Sequence, residues 1–150
     1  MTLSETSGRI LALDVGKKRI GLAVSDPLRI TAQGLTTFQR KRIREDLRQL
    51  KEMVEQLDIR LLLVGIPLHM SGDESPQSTY TREFAERLSE HAGVPLVYWD
   101  ERLTSMEAER LLKSAGTTLD TQKRSVDRLA ATLLLESYLG YLQQQRGSLG

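Results

Sequence analysis

The sequence contains no cysteine. That absence removes disulfides, thiolate nucleophiles, iron–sulfur clusters and cysteine-ligated zinc from consideration. Aromatic residues make up 5% of the 150 residues, which argues against a base-stacking platform. Nor is there a surplus of one charge: 21 Lys plus Arg stand against 20 Asp plus Glu, for a formal net charge of +1. Any affinity for a polyanion must therefore rest on local patches and not on the total. No apolar run approaches the roughly 20 residues that span a bilayer. Residues 1–8 lack the basic-then-apolar order of a signal peptide, so the expected location is the cytoplasm. Nucleotide-binding loops are missing too. There is no GxGxxG, and no Gly-Lys-Ser/Thr completes a P-loop. Ser25, Ser71 and Ser105 lack a nucleophile-elbow setting, and His69 and His91 lie far apart.

What is present fits one globular domain over 1–150, with 39% hydrophobic and 27% charged residues. The chain is too short for two lobes around a nucleotide cleft. The apolar runs Ile10–Val15 and Ile20–Ser25, divided by Gly16-Lys17-Lys18, predict a β-hairpin. Ile30 to Phe38 reads as a third strand. Ile43, Leu47, Leu50, Val54 and Leu57 form one stripe of an amphipathic helix over 41–57. Leu61–Ile66 is a short apolar run ended by Pro67, as in a buried strand. After the polar stretch 68–77, a helix is expected over about 78–91, then a strand over 95–99. Thr104 with Glu107 has capping-box spacing and predicts a helix to about Ser114. A last helix runs over about 125–142, and residues 1–7 and 143–150 are expected to fray. The order β-β-β-α-β-α-β-α-α implies an α/β fold: a mixed five-stranded sheet, its three leading strands antiparallel, with helices on both faces.

Three acids stand among apolar neighbours. Asp14 closes the first run, Glu101 follows the 95–99 strand, and Asp127 heads a helical stripe continued by Ala130, Ala131, Leu134 and Tyr138. Each has an ordinary explanation alone: a turn residue, a solvated pair with Arg102, a helix-start acid. Together they imply a shared cation, because an isolated buried carboxylate is costly. Oxygen-only ligands favour Mg²⁺ or Mn²⁺. A pair of such ions about 3.5–4 Å apart is a known arrangement for phosphodiester hydrolysis. Asp100 is the rival to Glu101.

Basic groups lie close by in sequence. Lys17, Lys18 and Arg19 occupy the hairpin turn. Arg40, Lys41, Arg42, Arg44, Arg48 and Lys51 stand against only Glu45 and Asp46, and Arg44, Arg48 and Lys51 share a helical face. This is a moderate footprint for a nucleic-acid backbone. Lys123, Arg124 and Arg128 flank Asp127.

Four blocks carry a more specific signal: Leu13-Asp14-Val15-Gly16-Lys17-Lys18-Arg19-Ile20-Gly21, Gly65-Ile66-Pro67-Leu68, Asp100-Glu101-Arg102-Leu103-Thr104-Ser105 with Glu107-Ala108, and Val126-Asp127-Arg128-Leu129-Ala130-Ala131. In this order they resemble the YqgF-type family, described as Holliday-junction-resolvase-like and as pre-16S ribosomal RNA nucleases. Two departures from that pattern are His69, where Asn is expected, and the loop Ser71–Ser75. The resemblance implies a ribonuclease-H-like fold, with Asp14, Glu101 and Asp127 as catalytic metal ligands and Asp14 bridging two ions. Lys18, Arg19 and Arg102 are the expected phosphate-binding residues. The implied partner is precursor ribosomal RNA, with branched DNA as the alternative and a non-catalytic nucleic-acid-binding role as a third reading. The chain is expected to act as a monomer or homodimer, away from membranes.

Overall fold

The computed structural model describes residues 7–68, 71–101 and 119–149, the side chains of 119–128 and 147–149 excepted. Strands β1 (Arg9–Val15) and β2 (Arg19–Ser25) form the antiparallel hairpin, with Leu11 opposite Val24 and Asp14 opposite Gly21. Gly16 makes the turn. Its N–H donates to the Arg19 carbonyl at 2.9 Å, and a Cβ on it would sit 2.7 Å from that same oxygen.

The expected third strand is broken in two, and the sheet has six strands where five were expected. β3 (Ala32–Gly34) and β4 (Phe38–Gln39) both pair with β2. The cause is a change of register. Gly34 faces Ala23 but Phe38 faces Ile20, so one more residue is spent on this side than on β2. Such an extra residue interrupts the ladder as a bulge does. Ile30 is left outside the sheet and 54% exposed.

Helix α1 (Ile43–Gln56) leads into β5 (Ile59–Ile66), which lies parallel to β1. β5 is buried on both faces, as its unbroken apolar sequence requires. Helix α2 (Pro76–Ala92) follows, two residues longer at its start than its apolar spacing marks. Ser75 and Ser78 form a capping box there, Pro76 sits where a missing N–H costs nothing, and Gly93 at φ +71° ends the helix. Strand β6 (Leu96–Asp100) pairs parallel to β5. Helix α3 (Leu119–Leu149) extends the expected 125–142 in both directions, through the expected tail, and Gly140 does not interrupt it. The strand order is β3-β2-β1-β5-β6, with β4 also on β2. The helix expected over 104–114 lies outside the described residues, and no described helix is long and apolar enough to cross a membrane.

Side chains alternate across the sheet and divide the core into two layers. Leu11, Leu13, Val15, Leu62 and Val64 pack under α1 and α2, against Leu50, Val54, Phe84 and Leu88. Ile10, Ala12, Ala23, Leu61 and Leu63 pack under α3, against Ala131, Leu134, Leu135 and Tyr138. The inward stripe read from Ala130, Ala131, Leu134 and Tyr138 is buried as expected. The few aromatics serve this layer. Trp99 meets Tyr138 edge-on at 5.1 Å, and its indole N–H donates to Ser137 Oγ at 3.0 Å.

Candidate active site

Strands β1, β5 and β6 are parallel, so their C-terminal ends share one edge of the sheet. Asp14 is the sixth residue of β1, and its parity with Ile10 and Ala12 turns it to the α3 layer. Glu101 leaves β6 with the parity of Val97 and Trp99, which belong to that same layer. Its N–H donates to the Ile66 carbonyl at 3.2 Å, which fixes where the side chain starts. Asp100, the rival acid, has the opposite parity, that of Leu96 and Tyr98 in the other layer.

The Asp14 and Glu101 carboxyls meet in a hydrogen bond. Burial pushes the Glu101 carboxyl up to about 10, with further upward contributions from the hydrogen bond and charge of Asp14 and from the charge of Asp100. At neutral pH this pair therefore keeps a proton where two oxygen-rich groups converge. The donor set fits a hard divalent cation: two carboxyl groups facing one another, with a proton standing where positive charge is wanted.

Room for the pair comes from glycines. Gly21 faces Asp14 across the hairpin. On the other side, Leu13 faces Val64, so Gly65 is the β5 residue beside Asp14. A Cβ on Gly65 would lie 2.5 Å from both Cγ and Oε1 of Glu101. The missing side chain is the niche that Glu101 fills. In the sequence Gly65 stands inside the Gly65-Ile66-Pro67-Leu68 block with no role of its own. The available signal was a glycine inside a continuous apolar strand, which marks a close approach.

Asp127 lies on α3, four residues before Ala131, and its side chain is outside the described residues. Arg102 is also outside them. Among the described residues no group of three His, Asp or Glu is gathered tightly enough for a metal ion. Two of the three expected acids are thus brought together on described atoms.

The basic residues divide. Lys17 and Lys18 are exposed in the turn, and Arg19 is half-buried at the start of β2. Arg40 does not join the basic face expected over 40–51. Its side chain is only 9% exposed, and its Nε donates to Asp46 Oδ2 at 3.3 Å. An Arg40 NH1 donates to the Gly16 carbonyl at 3.1 Å and to the Tyr80 hydroxyl, and the guanidinium lies 4.6 Å from the centre of the Phe84 ring. Gln77 Nε2 donates to the Val15 carbonyl at 3.2 Å. The two carbonyls that follow Asp14 are therefore held from outside the sheet, one by α2 and one by the segment entering α1. Arg48 is engaged by Glu52 at 3.1 Å on the exposed face of α1.

The sheet order and the acids at the shared ends of its parallel strands are matched by nuclease and resolvase domains among known proteins. Residues 8–141 match the family model RuvX, Holliday junction resolvase, and the chain belongs to that family. A protein of Koribacter versatilis named as a pre-16S rRNA nuclease is 49% identical over 136 residues, covering 91% of this chain and 89% of that protein. One from Syntrophomonas wolfei with the same name is 42% identical over 142 residues, covering 95% and 97%. Among solved structures, Thermus thermophilus RuvC in complex with a Holliday junction substrate aligns with TM-score 0.56 at 15% identity, over 89% of this chain and 96% of that one. The fowlpox virus resolvase in complex with Holliday junction DNA aligns with TM-score 0.53 at 14% identity, over 89% and 98%. At these identities the likeness shows the fold, which is of the ribonuclease-H-like type expected.

Proposed function

We propose that this protein is a divalent-metal-dependent nuclease that hydrolyses phosphodiester bonds in precursor 16S ribosomal RNA, working in the cytoplasm. The observation that carries the reading is the half-buried, hydrogen-bonded Asp14–Glu101 carboxyl pair at the shared ends of β1, β5 and β6. The RNA substrate follows the names of the relatives. Asp14, Glu101 and Asp127 would hold Mg²⁺ or Mn²⁺. An ion held there would supply the chemistry of water activation and charge neutralisation at a phosphate. The chain's own residues supply the rest. Gly65 leaves the niche that Glu101 fills, and Gly21 faces Asp14 across the hairpin. Lys18 and Arg19, close to Asp14 in sequence, orient the phosphate, and Arg102 is assigned the same task. Glu101 gives up its proton as the site loads, so loading is favoured at higher pH.

A junction-cleaving activity on branched DNA is the second reading, favoured by the family's own description. A non-catalytic binding role has no use for two acids held against one another. The test is cleavage of a precursor 16S RNA and of a four-way DNA junction, side by side, with and without Mn²⁺. Asp14→Asn is expected to abolish cleavage while circular dichroism stays unchanged. A variant that cuts as fast as the parent would refute the assignment. Cleavage of the junction with the RNA left intact would move the substrate to DNA.

A further inference from the structure

Lys17 and Lys18 lie far in sequence from Lys41 and Arg42, yet the fold brings the two pairs together. β4 runs antiparallel to β2, with Arg19 opposite Gln39. The pairing continues one step further, because the Arg40 N–H donates to the Lys18 carbonyl at 2.9 Å. Lys18 therefore stands beside Arg40, and the next residues along, Lys17 and Lys41, flank the same corner. All four cations are exposed. Among the described residues none of the four has an acidic partner within salt-bridge distance. Asp46, one of the two acids that follow Lys41 and Arg42 on the first turn of α1, is 1% exposed and engaged by Arg40 and by the Lys41 N–H at 2.9 Å.

The backbone of this corner is also spoken for. The Gly16 carbonyl accepts from Arg40 NH1, and the Lys18 carbonyl accepts from the Arg40 N–H. Those two acceptors are thus turned inward, leaving side-chain donors outward. A fixed backbone lowers the ordering cost of a bound chain. The corner adjoins the end of β1, where Lys17 and Lys18 follow Asp14 by three and four residues.

We propose that Lys17, Lys18, Lys41 and Arg42 form one phosphate-binding bracket through which the substrate backbone passes on its way to the acidic pair. The inference rests on the nuclease reading for its direction, and on the register alone for its membership. It assigns Lys41 and Arg42 to the substrate path and removes Arg40 and Arg48 from it. The recognised chemistry is the phosphodiester backbone, shared by RNA and DNA.

The test is fluorescence anisotropy on the full chain in EDTA. The probes are a fluorescein-labelled 20-nucleotide single-stranded RNA and the DNA of the same sequence, each over a series of salt concentrations. For single strands each lost phosphate contact lowers the slope of log K against log salt by about 0.7. The double variant Lys41→Gln/Arg42→Gln is expected to lower it by about 1.4 and to weaken binding by roughly threefold or more at 0.1 M salt. Lys17→Gln/Lys18→Gln is expected to do the same. Arg48→Gln, which removes one charge from the exposed face of α1 where Arg48 pairs with Glu52, is expected to leave the slope within error of the parent. Circular dichroism confirms folding of each variant. If the Lys41/Arg42 variant keeps the parental slope on both probes, or changes no more than Arg48→Gln, the bracket is wrong. That failure is separate from failure of the nuclease reading, which the Asp14→Asn cleavage assay decides alone. A slope change on RNA only, or on DNA only, upholds the bracket and assigns its polymer.

Discussion

At the scale of single residues, the smallest side chain in the site has the most demanding position. Gly65 stands where a Cβ would overlap Cγ and Oε1 of Glu101. Gly65→Ala must push that carboxyl away from Asp14 or move the strand. Overpacking of this kind costs about 1–3 kcal/mol. The expected outcome is a stability loss in that range by urea denaturation, with a fall in cleavage rate larger than a change in stability alone produces. A Gly65→Ala protein with parental cleavage would show that Glu101 has freedom the geometry denies it. The acids were legible in the sequence because charge inside an apolar run is conspicuous. The glycine was less so, because its role depends on a side chain that comes from another strand.

At the scale of elements, Arg40 ties the approach to α1 to α2 and to the hairpin turn. Its charge made it look like one of six equivalent basic residues, and sequence offers no way to tell a buried guanidinium from a wet one in such a run. The structure separates them through Asp46, which is buried on the first turn of α1. Breaking a buried pair by removing one partner costs about 3–5 kcal/mol. Arg40→Met is expected to destabilise by that amount in urea denaturation at pH 7, whereas Arg48→Met, which breaks an exposed pair, should cost less than about 1 kcal/mol. Equal effects would mean that Arg40 is not the clamp it looks to be. The described helices were otherwise readable from their period, and the central strands from short apolar runs ended by glycine or proline. The split of the third strand was not, because a one-residue change of register leaves no trace in hydrophobicity. The length of α3 was not either, since its polar end carries no apolar stripe to follow.

At the scale of the whole molecule, the raised Glu101 carboxyl links folding to pH. Its ordinary value is 4.5 and its folded value about 10, so the folded chain holds the proton more tightly than the unfolded chain. The resulting stabilisation is fully present below pH 4.5 and is lost progressively as pH rises towards 10, by at most about 1.4 kcal/mol per pH unit. In EDTA, thermal melting of the parent should therefore fall between pH 6 and 9 more steeply than that of Glu101→Gln, which has no proton to lose. Parallel curves for the two proteins would contradict a proton held between the two acids. Mn²⁺ should flatten the parental curve by replacing the proton.

The chain connections have one more consequence. α1 runs opposite to β5, and α2 opposite to β5 and β6, so both helices begin near the edge where those strands finish. Each presents the positive end of its peptide dipoles there, equivalent to about half an elementary charge apiece. A polyanion drawn to that pole meets an attraction written into the direction in which the helices connect the strands and not into any side chain. Charge-neutralising substitutions on the surface can dim this field but cannot abolish it.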